Sequence, residues 1–188
     1  TGDGGSAEIS FEGGSIVSLH ENSDFTLEAI RKKDSTLSLA FGRLLAKIQA
    51  LGGGGLRVRT PTAVAAVRGT EFGVEVLAEN PDETDIAVFD EGQVEVQGLI
   101  SGGESRVLIA NQETRVVKGQ APAMAYQLKR FMRHRERMRD MRRRLPYLRK
   151  TWRAMEPGKR RELRQAALQR RHGRRNELRQ KGRKEIRR

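Results

Sequence analysis

Two stretches decide the fold: Phe72-Gly73-Val74-Glu75-Val76 and Val88-Phe89-Asp90-Glu91-Gly92-Gln93-Val94-Glu95-Val96. Valines recur two apart with polar or small residues between them, the period of an extended strand that turns one face inward. Asp90-Glu91-Gly92-Gln93 has turn composition, so Ile86 and Val88 are expected to form a hairpin with Val94 and Val96. Upstream, Ala7–Phe11 alternates in the same way, Glu12-Gly13-Gly14-Ser15 supplies a turn, and Ile16–Leu19 resumes. Phe25 and Leu27 follow, then Leu37, Leu39 and Phe41, and Leu56 and Val58 after the Gly52–Gly55 connection. Gly42–Leu51 has some helical periodicity and is read as strand. Downstream, Asn80-Pro81-Asp82-Glu83 reads as a polar loop. A last hairpin is expected to pair Val107 and Ile109 with Val116 across Asn111-Gln112-Glu113. Short strands at this spacing predict a mainly β head, a β-sandwich, jelly roll or β-roll.

Charge divides the chain after Gln120. Residues 1–120 hold 11 Lys+Arg and 18 Asp+Glu, a balance of −7; residues 121–188 hold 26 and 6, a balance of +20. The expected organisation is therefore a β domain over 1–120 and an Arg-rich amphipathic helical tail over 121–188. In the tail, Met124, Leu128, Phe131, Met138, Met141 and Leu145 fall on one helical stripe. Pro122 suits the first turn of that helix, and Pro146 is expected to end or kink it. Leu148, Trp152 and Met155 continue at helical intervals, Glu156-Pro157-Gly158 reads as a break, and Leu163, Ala166 and Ala167 mark a third segment.

Enzymatic chemistry finds no foothold, and the chain is read as non-enzymatic. There is no cysteine, so thiolate metal sites, disulfides and cysteine nucleophiles are excluded. His20, His134 and His172 are dispersed, His20 reading as half of a solvated pair with Glu21. Gly52–Gly55 lacks the lysine and helix start of a phosphate loop. No cofactor is called for. No apolar run is long enough to cross a membrane. The opening Thr1-Gly2-Asp3-Gly4-Gly5 reads as a cut into a longer precursor that carries a signal or anchor upstream.

Thr60-Pro61-Thr62-Ala63-Val64-Ala65-Ala66-Val67-Arg68-Gly69-Thr70-Glu71-Phe72 resembles the signature of the FecR family. Val88–Val96 resembles the hairpin that follows it there, and Ala7–Val17 the family's opening unit, so the likeness spans roughly residues 1–100. It implies a bacterial envelope protein with this domain on the periplasmic side. The best-known members are transmembrane regulators that pass a receptor's signal to a sigma factor. Their cytoplasmic anti-sigma segment and membrane span are absent from these residues, and a basic tail stands where they carry a receptor-contacting domain.

The motif residues Thr60, Pro61, Arg68, Gly69, Thr70, Glu71, Phe72, Glu91 and Gly92 have a structural reading and a functional one. In the first, Gly69 makes a special turn while Arg68 pairs with a carboxylate or caps carbonyls; in the second, Arg68 contacts a ligand or partner. In the tail, Arg142, Arg143, Arg144, Arg160, Arg161, Arg170, Arg171, Arg174 and Arg175 are candidate anion-binding residues. The alternatives are a solvated face, an anionic envelope component such as a membrane surface or lipopolysaccharide, an acidic protein partner, or nucleic acid. Nucleic acid is disfavoured, because the tail's aromatics lie on or near its apolar stripe and the periplasmic side implied by the resemblance is the wrong compartment. Self-association and docking of the tail on its own acidic head are further expectations. Three function classes follow: a FecR-type binding, scaffold or sensor domain with a basic tail; the periplasmic part of a transmembrane sigma/anti-sigma regulator; and a nucleic-acid-binding protein.

Overall fold

The computed structural model describes residues 1–11, 15–30, 34–49, 55–99, 104–156, 158, 159, 161, 162 and 165. The Glu12–Gly14 turn, the Gly52–Gly54 connection, His172 and most of the third basic segment lie outside the described residues. The structure is a mainly β head followed by a helical tail, as the alternation and the tail stripe predict. The chain divides into two compact units, Thr1–Leu148 and Arg149–Arg188.

Among the described residues, twelve strands form one curled, hydrogen-bonded sheet. They are β1 (Ala7–Phe11), β2 (Ser15–Leu19), β3 (Asp24–Ile30), β4 (Asp34–Lys47), β5 (Gly55–Arg59), β6 (Ala63–Val67), β7 (Glu71–Leu77), β8 (Asn80–Val88), β9 (Gln93–Gly98), β10 (Ser105–Ile109), β11 (Gln112–Val117) and β12 (Tyr126–Gln127). The long β4 organises them. Its first part pairs with β3 and, in parallel, with β5; its second part pairs with β2 and β7. The change of partner occurs at Gly42, whose φ is 99° and where a Cβ would collide with Ser23. Only glycine adopts that backbone without cost. One half of the sheet is then β3, β4, β5, β6, β9 and β10, and the other is β1, β2, β4, β7, β8, β11 and β12.

The two halves share one core. Leu37, Leu39, Val58, Val67, Val94 and Val96 from the first cluster with Leu44, Phe72, Val74, Ile86, Val88 and Val116 from the second. At 0% exposure Phe72, Val74 and Val88 confirm the face that alternation assigns inward.

Both expected distal hairpins are corrected. β8 pairs with β7 and β11, while β9 pairs with β6 and β10. The Asp90–Gly92 turn therefore carries the chain from one half to the other, and Ala110–Asn111 carries it back. A crossover between halves and a tight hairpin have the same alternation and the same turn residues, so local pattern cannot separate them. The Asn80–Glu83 stretch is not a loop but the start of β8. The turn is Ala78–Glu79, which closes a two-residue hairpin between β7 and β8.

The tail starts later than its stripe suggests. Residues 121–125 run extended beside β11, with the Ala123 amide donating to the Arg115 carbonyl (2.9 Å), and β12 extends that edge. Pro122 is buried there, its carbonyl accepting from Arg106 Nε at 3.3 Å, and Met124 is 74% exposed. A 3-10 turn (Arg130–His134) leads into α1 (Arg135–Ala154). Pro146 lies inside α1 and does not end it. Within the second unit, α1 closes at Ala154 with the Met155 amide on the Thr151 carbonyl (3.1 Å), and Lys159 pairs with Glu162.

Candidate functional site: an acidic sheet face holding a basic helix

In β7 the inward Phe72, Val74 and Val76 alternate with Glu71, Gly73 and Glu75, which face the other way. That second face is also buried, because the tail lies on it. Ile16, Leu45, Ala87 and Phe89 from the sheet cluster with Leu128, Phe131, Met138, Met141 and Leu145. Burying side chains of this size stabilises by about 1.5–3 kcal/mol each. Phe131 sits over Gly73, where a Cβ would come within 2.7 Å of its ring. It meets Phe89 edge to face at 6.3 Å between centroids.

Around this strip, carboxylates of the head receive arginines of the tail. Glu75, 2% exposed, accepts from Arg43, from Arg130 Nε (2.6 Å) and from Arg133 (3.1 Å). Burial alone would raise the Glu75 pKa, but the hydrogen bonds from Arg43 and Arg130 outweigh it and hold the carboxyl below its usual range. Asp85 takes a two-pronged contact from Arg115 (2.8 and 3.1 Å) and an ion pair from Arg130 (3.2 Å). Glu113 accepts the backbone amides of Arg130 and Phe131 (3.0 and 3.2 Å), anchoring the start of the 3-10 turn. Asp90 faces Arg135, Arg139 and Arg142 at 3.2, 3.7 and 3.4 Å. Glu8 is gripped by both terminal nitrogens of Arg144 at 2.7 Å, which lowers its pKa.

Glu71 is fully buried, and neither of its oxygens has a hydrogen-bond partner. Lys47 at 3.6 Å and Arg142 at 3.5 Å neutralise it as ion pairs, at a separation too long for hydrogen bonds. Burial lowers the Lys47 pKa, and Lys47 also pairs with Glu91.

Two histidines treated as dispersed in the sequence meet at this seam. His20 follows β2 and His134 closes the 3-10 turn, with ring centroids 5.3 Å apart and edge to face. Arg133 Nε donates to His134 Nε2 at 3.0 Å, so that nitrogen is unprotonated. His20 Nε2 is buried without a partner, which corrects the solvated-pair reading. Burial, then Arg137 and Arg43, push His20 down to about 4; burial, then Arg43 and Arg133, push His134 down to about 4. Glu75 opposes both shifts, and Glu21 opposes that of His20. Nothing in residue type or spacing signals this contact.

Four of the motif residues, Thr60, Gly69, Thr70 and Gly92, lie at corners of the fold. Thr60 caps the turn into β6, accepting the Ala63 amide at 3.0 Å, and ends a buried hydroxyl chain in which Thr62 donates to Thr84 (2.7 Å) and Thr84 to Thr60 (2.9 Å). Pro61 is exposed. Gly69 has φ 69°, and Thr70 Oγ1 accepts the Gln93 amide and donates to the Gln93 carbonyl. Gly92 has φ 91°, and a Cβ there would lie 2.5 Å from Thr70 Oγ1. Arg68 is exposed and makes no ion pair among the described residues, so the expected carboxylate partner is not present there.

Of the candidate anion-binding arginines, Arg142 and Arg144 are occupied by head carboxylates, and Arg143 and Arg161 are exposed. Arg160, Arg170, Arg171, Arg174 and Arg175 lie outside the described residues. No helix among the described residues is long and apolar enough to cross a membrane.

The sequence model of the FecR protein family matches residues 1–95. No curated protein is similar enough to register. Among solved structures, two crystal structures of a candidate anti-sigma factor from Parabacteroides distasonis ATCC 8503 are similar in fold. Their TM-scores are 0.58 and 0.56 at 18% and 19% identity, covering 70% of this chain and 59% of that one. The chain thus spans about three-fifths of that protein's length.

Proposed function

Because the chain belongs to the FecR family, we propose that it is a non-enzymatic regulatory protein of the bacterial envelope, its β head a periplasmic module that binds protein. The observation that carries this reading is the face of β7, β8 and β11, where buried carboxylates grip a basic amphipathic helix. That is the construction of a protein-recognition surface rather than of a reaction site. Catalysis would need a nucleophile or acid–base pair open to substrate, and these carboxylates are covered.

We read the chain as a head (1–120) and a tail (121–188) with different roles. Within 121–148, Arg130, Arg133, Arg135, Arg139, Arg142 and Arg144 pair with head carboxylates. That stretch is a strap and not a free anion-binding arm. Most of the tail's charge lies in residues 149–188, which carry 17 Lys+Arg and 4 Asp+Glu, a balance of +13. It suits an anionic envelope surface such as a membrane or lipopolysaccharide, or an acidic protein.

Flotation with phosphatidylglycerol vesicles tests this division. Wild type and R142A/R144A should bind alike, and a chain ending at Ala154 should lose binding. Loss in R142A/R144A with retention in the shortened chain would overturn it. Binding to duplex or single-stranded DNA that survives physiological salt would favour the nucleic-acid reading instead.

The fold shared with a candidate anti-sigma factor favours a second reading, the periplasmic part of a transmembrane sigma/anti-sigma regulator. It requires a membrane span and a cytoplasmic segment in the full-length protein; a full-length protein that lacks them would sink it.

A further inference from the structure

The outer face of the β5, β6, β9 and β10 half differs from the face under the helix. Arg57 stands opposite Ala66, Ala66 opposite Glu95, and Glu95 opposite Val107. These four form one straight row across four strands. Neighbouring strands lie about 4.8 Å apart, so Arg57 and Glu95 are about 10 Å apart with only the Ala66 methyl between them. Gly55 contributes no side chain at one end. The result is a notch of about 250 Å³, with Arg57, Arg68, Glu95 and Val107 around it.

Arg68 is held at the rim by the corner described above, where Thr70 bonds both backbone groups of Gln93. Arg57, Arg68 and Glu95 are all exposed, and none makes an ion pair among the described residues. On the opposite face the head's carboxylates are matched by arginines; at this notch two guanidinium groups are left unmatched on a head whose balance is −7.

Two arginines select a carboxylate or phosphate. Glu95 borders the same notch, so a bare anion meets repulsion there, whereas a peptide brings N–H donors beside its carboxylate. The flanking surface is apolar: Val107 and Ile109 are more than half exposed on β10, the end strand of the sheet, which pairs with β9. We propose that this notch binds an extended acidic segment of a partner protein. Its carboxylate lies between Arg57 and Arg68, its backbone donors face Glu95, and its apolar neighbours cover Ala66 and Val107. The proposal rests on reading the head as a protein-binding module.

The test is a titration of the full chain, followed by calorimetry and amide NMR, with three probes: acetyl-Val-Asp-Val-Glu-Val-amide, its Asn/Gln counterpart, and inorganic phosphate. The acidic peptide should shift the amides of Ala66, Glu95 and Val107 and bind at least tenfold more tightly than either control. R57A/R68A should lose at least tenfold in affinity at an unchanged melting temperature. Phosphate binding as tightly as the peptide, undiminished affinity in R57A/R68A, or shifts confined to β7 and β8 would each overturn the proposal. Such a failure bears on the notch alone, since the reading of the head as a protein-binding module rests on the β7, β8 and β11 face, which does not involve Arg57 or Arg68.

Discussion

The two outer faces of the curled sheet treat charge in opposite ways. Under the helix, Glu71, Glu75, Asp85 and Glu113 are buried, and the chain supplies cations or amides to meet each of them. On the other face Arg57, Arg68 and Glu95 stay in solvent and find no partner within the chain. A buried charge without a counter-charge costs several kcal/mol, so burial forces the first set to be satisfied internally. Exposed charges cost little and are left available. The covered face is therefore a recognition surface already filled by the chain's own helix, and the open face keeps its charges in solvent without a partner among the described residues.

The contrast can be broken most severely from beneath. Phe72→Asp places an unpaired charge in the core shared by both faces and should abolish cooperative folding, a loss of at least about 4 kcal/mol by denaturant melt. A soluble variant with a wild-type midpoint would mean that the inward face is misassigned. Next comes the seat of the helix. Gly73→Ala drives a methyl into the Phe131 ring and should cost about 1–3 kcal/mol. It should also move the limit of protease resistance from near Leu148 back toward Gln120. Digestion patterns identical to wild type would show that Phe131 yields freely.

Acid sharpens the comparison further. His20 and His134 titrate near 4 in the folded chain against about 6.5 when unfolded, so the unfolded chain takes up protons first as pH falls. Their contribution is complete above about pH 6.5, declines through the window down to about 4, and does not fall further below it. Each histidine accounts for about 1–2 kcal/mol after allowing for its partial hydration. The carboxyls of Glu75 and Glu8, held low by arginines, add their own loss at more acid pH. Replacing both histidines with glutamine should flatten stability between pH 6.5 and 4; an unchanged slope would remove them from the account. The smallest effect belongs to the open face, where Arg68→Ala should shift stability by less than about 0.5 kcal/mol. A larger loss would reveal a structural duty for that side chain.

Much of the inner architecture is legible in the residues. Alternation at Phe72, Val74 and Val76 names the core face, and the spacing of Leu128, Phe131, Met138, Met141 and Leu145 names the side chains that dock the tail. Glu71 and Glu75 carry no such signal. They occupy the polar positions of an amphipathic strand, where solvent is the ordinary expectation, and only the arrival of the helix buries them. The crossovers at Asp90–Gly92 and Ala110–Asn111 are hidden for a related reason, since a turn residue specifies backbone curvature and not the strand that follows as neighbour. Met124 and Pro122 mislead because a helical stripe can be extended backward in sequence while the chain is still needed as an edge strand beside β11.

By itself the sequence determined the strand alternation, the acidic and basic division and the family motif, because these depend on side-chain periodicity, charge and local backbone preference. Tertiary structure decided which strands became neighbours, that His20 meets His134, and that Arg130, Arg133, Arg135, Arg139, Arg142 and Arg144 pair with the head. Those outcomes depend on distances between residues far apart in the chain, which are set only when the two halves of the sheet close over one core and the helix covers what remains.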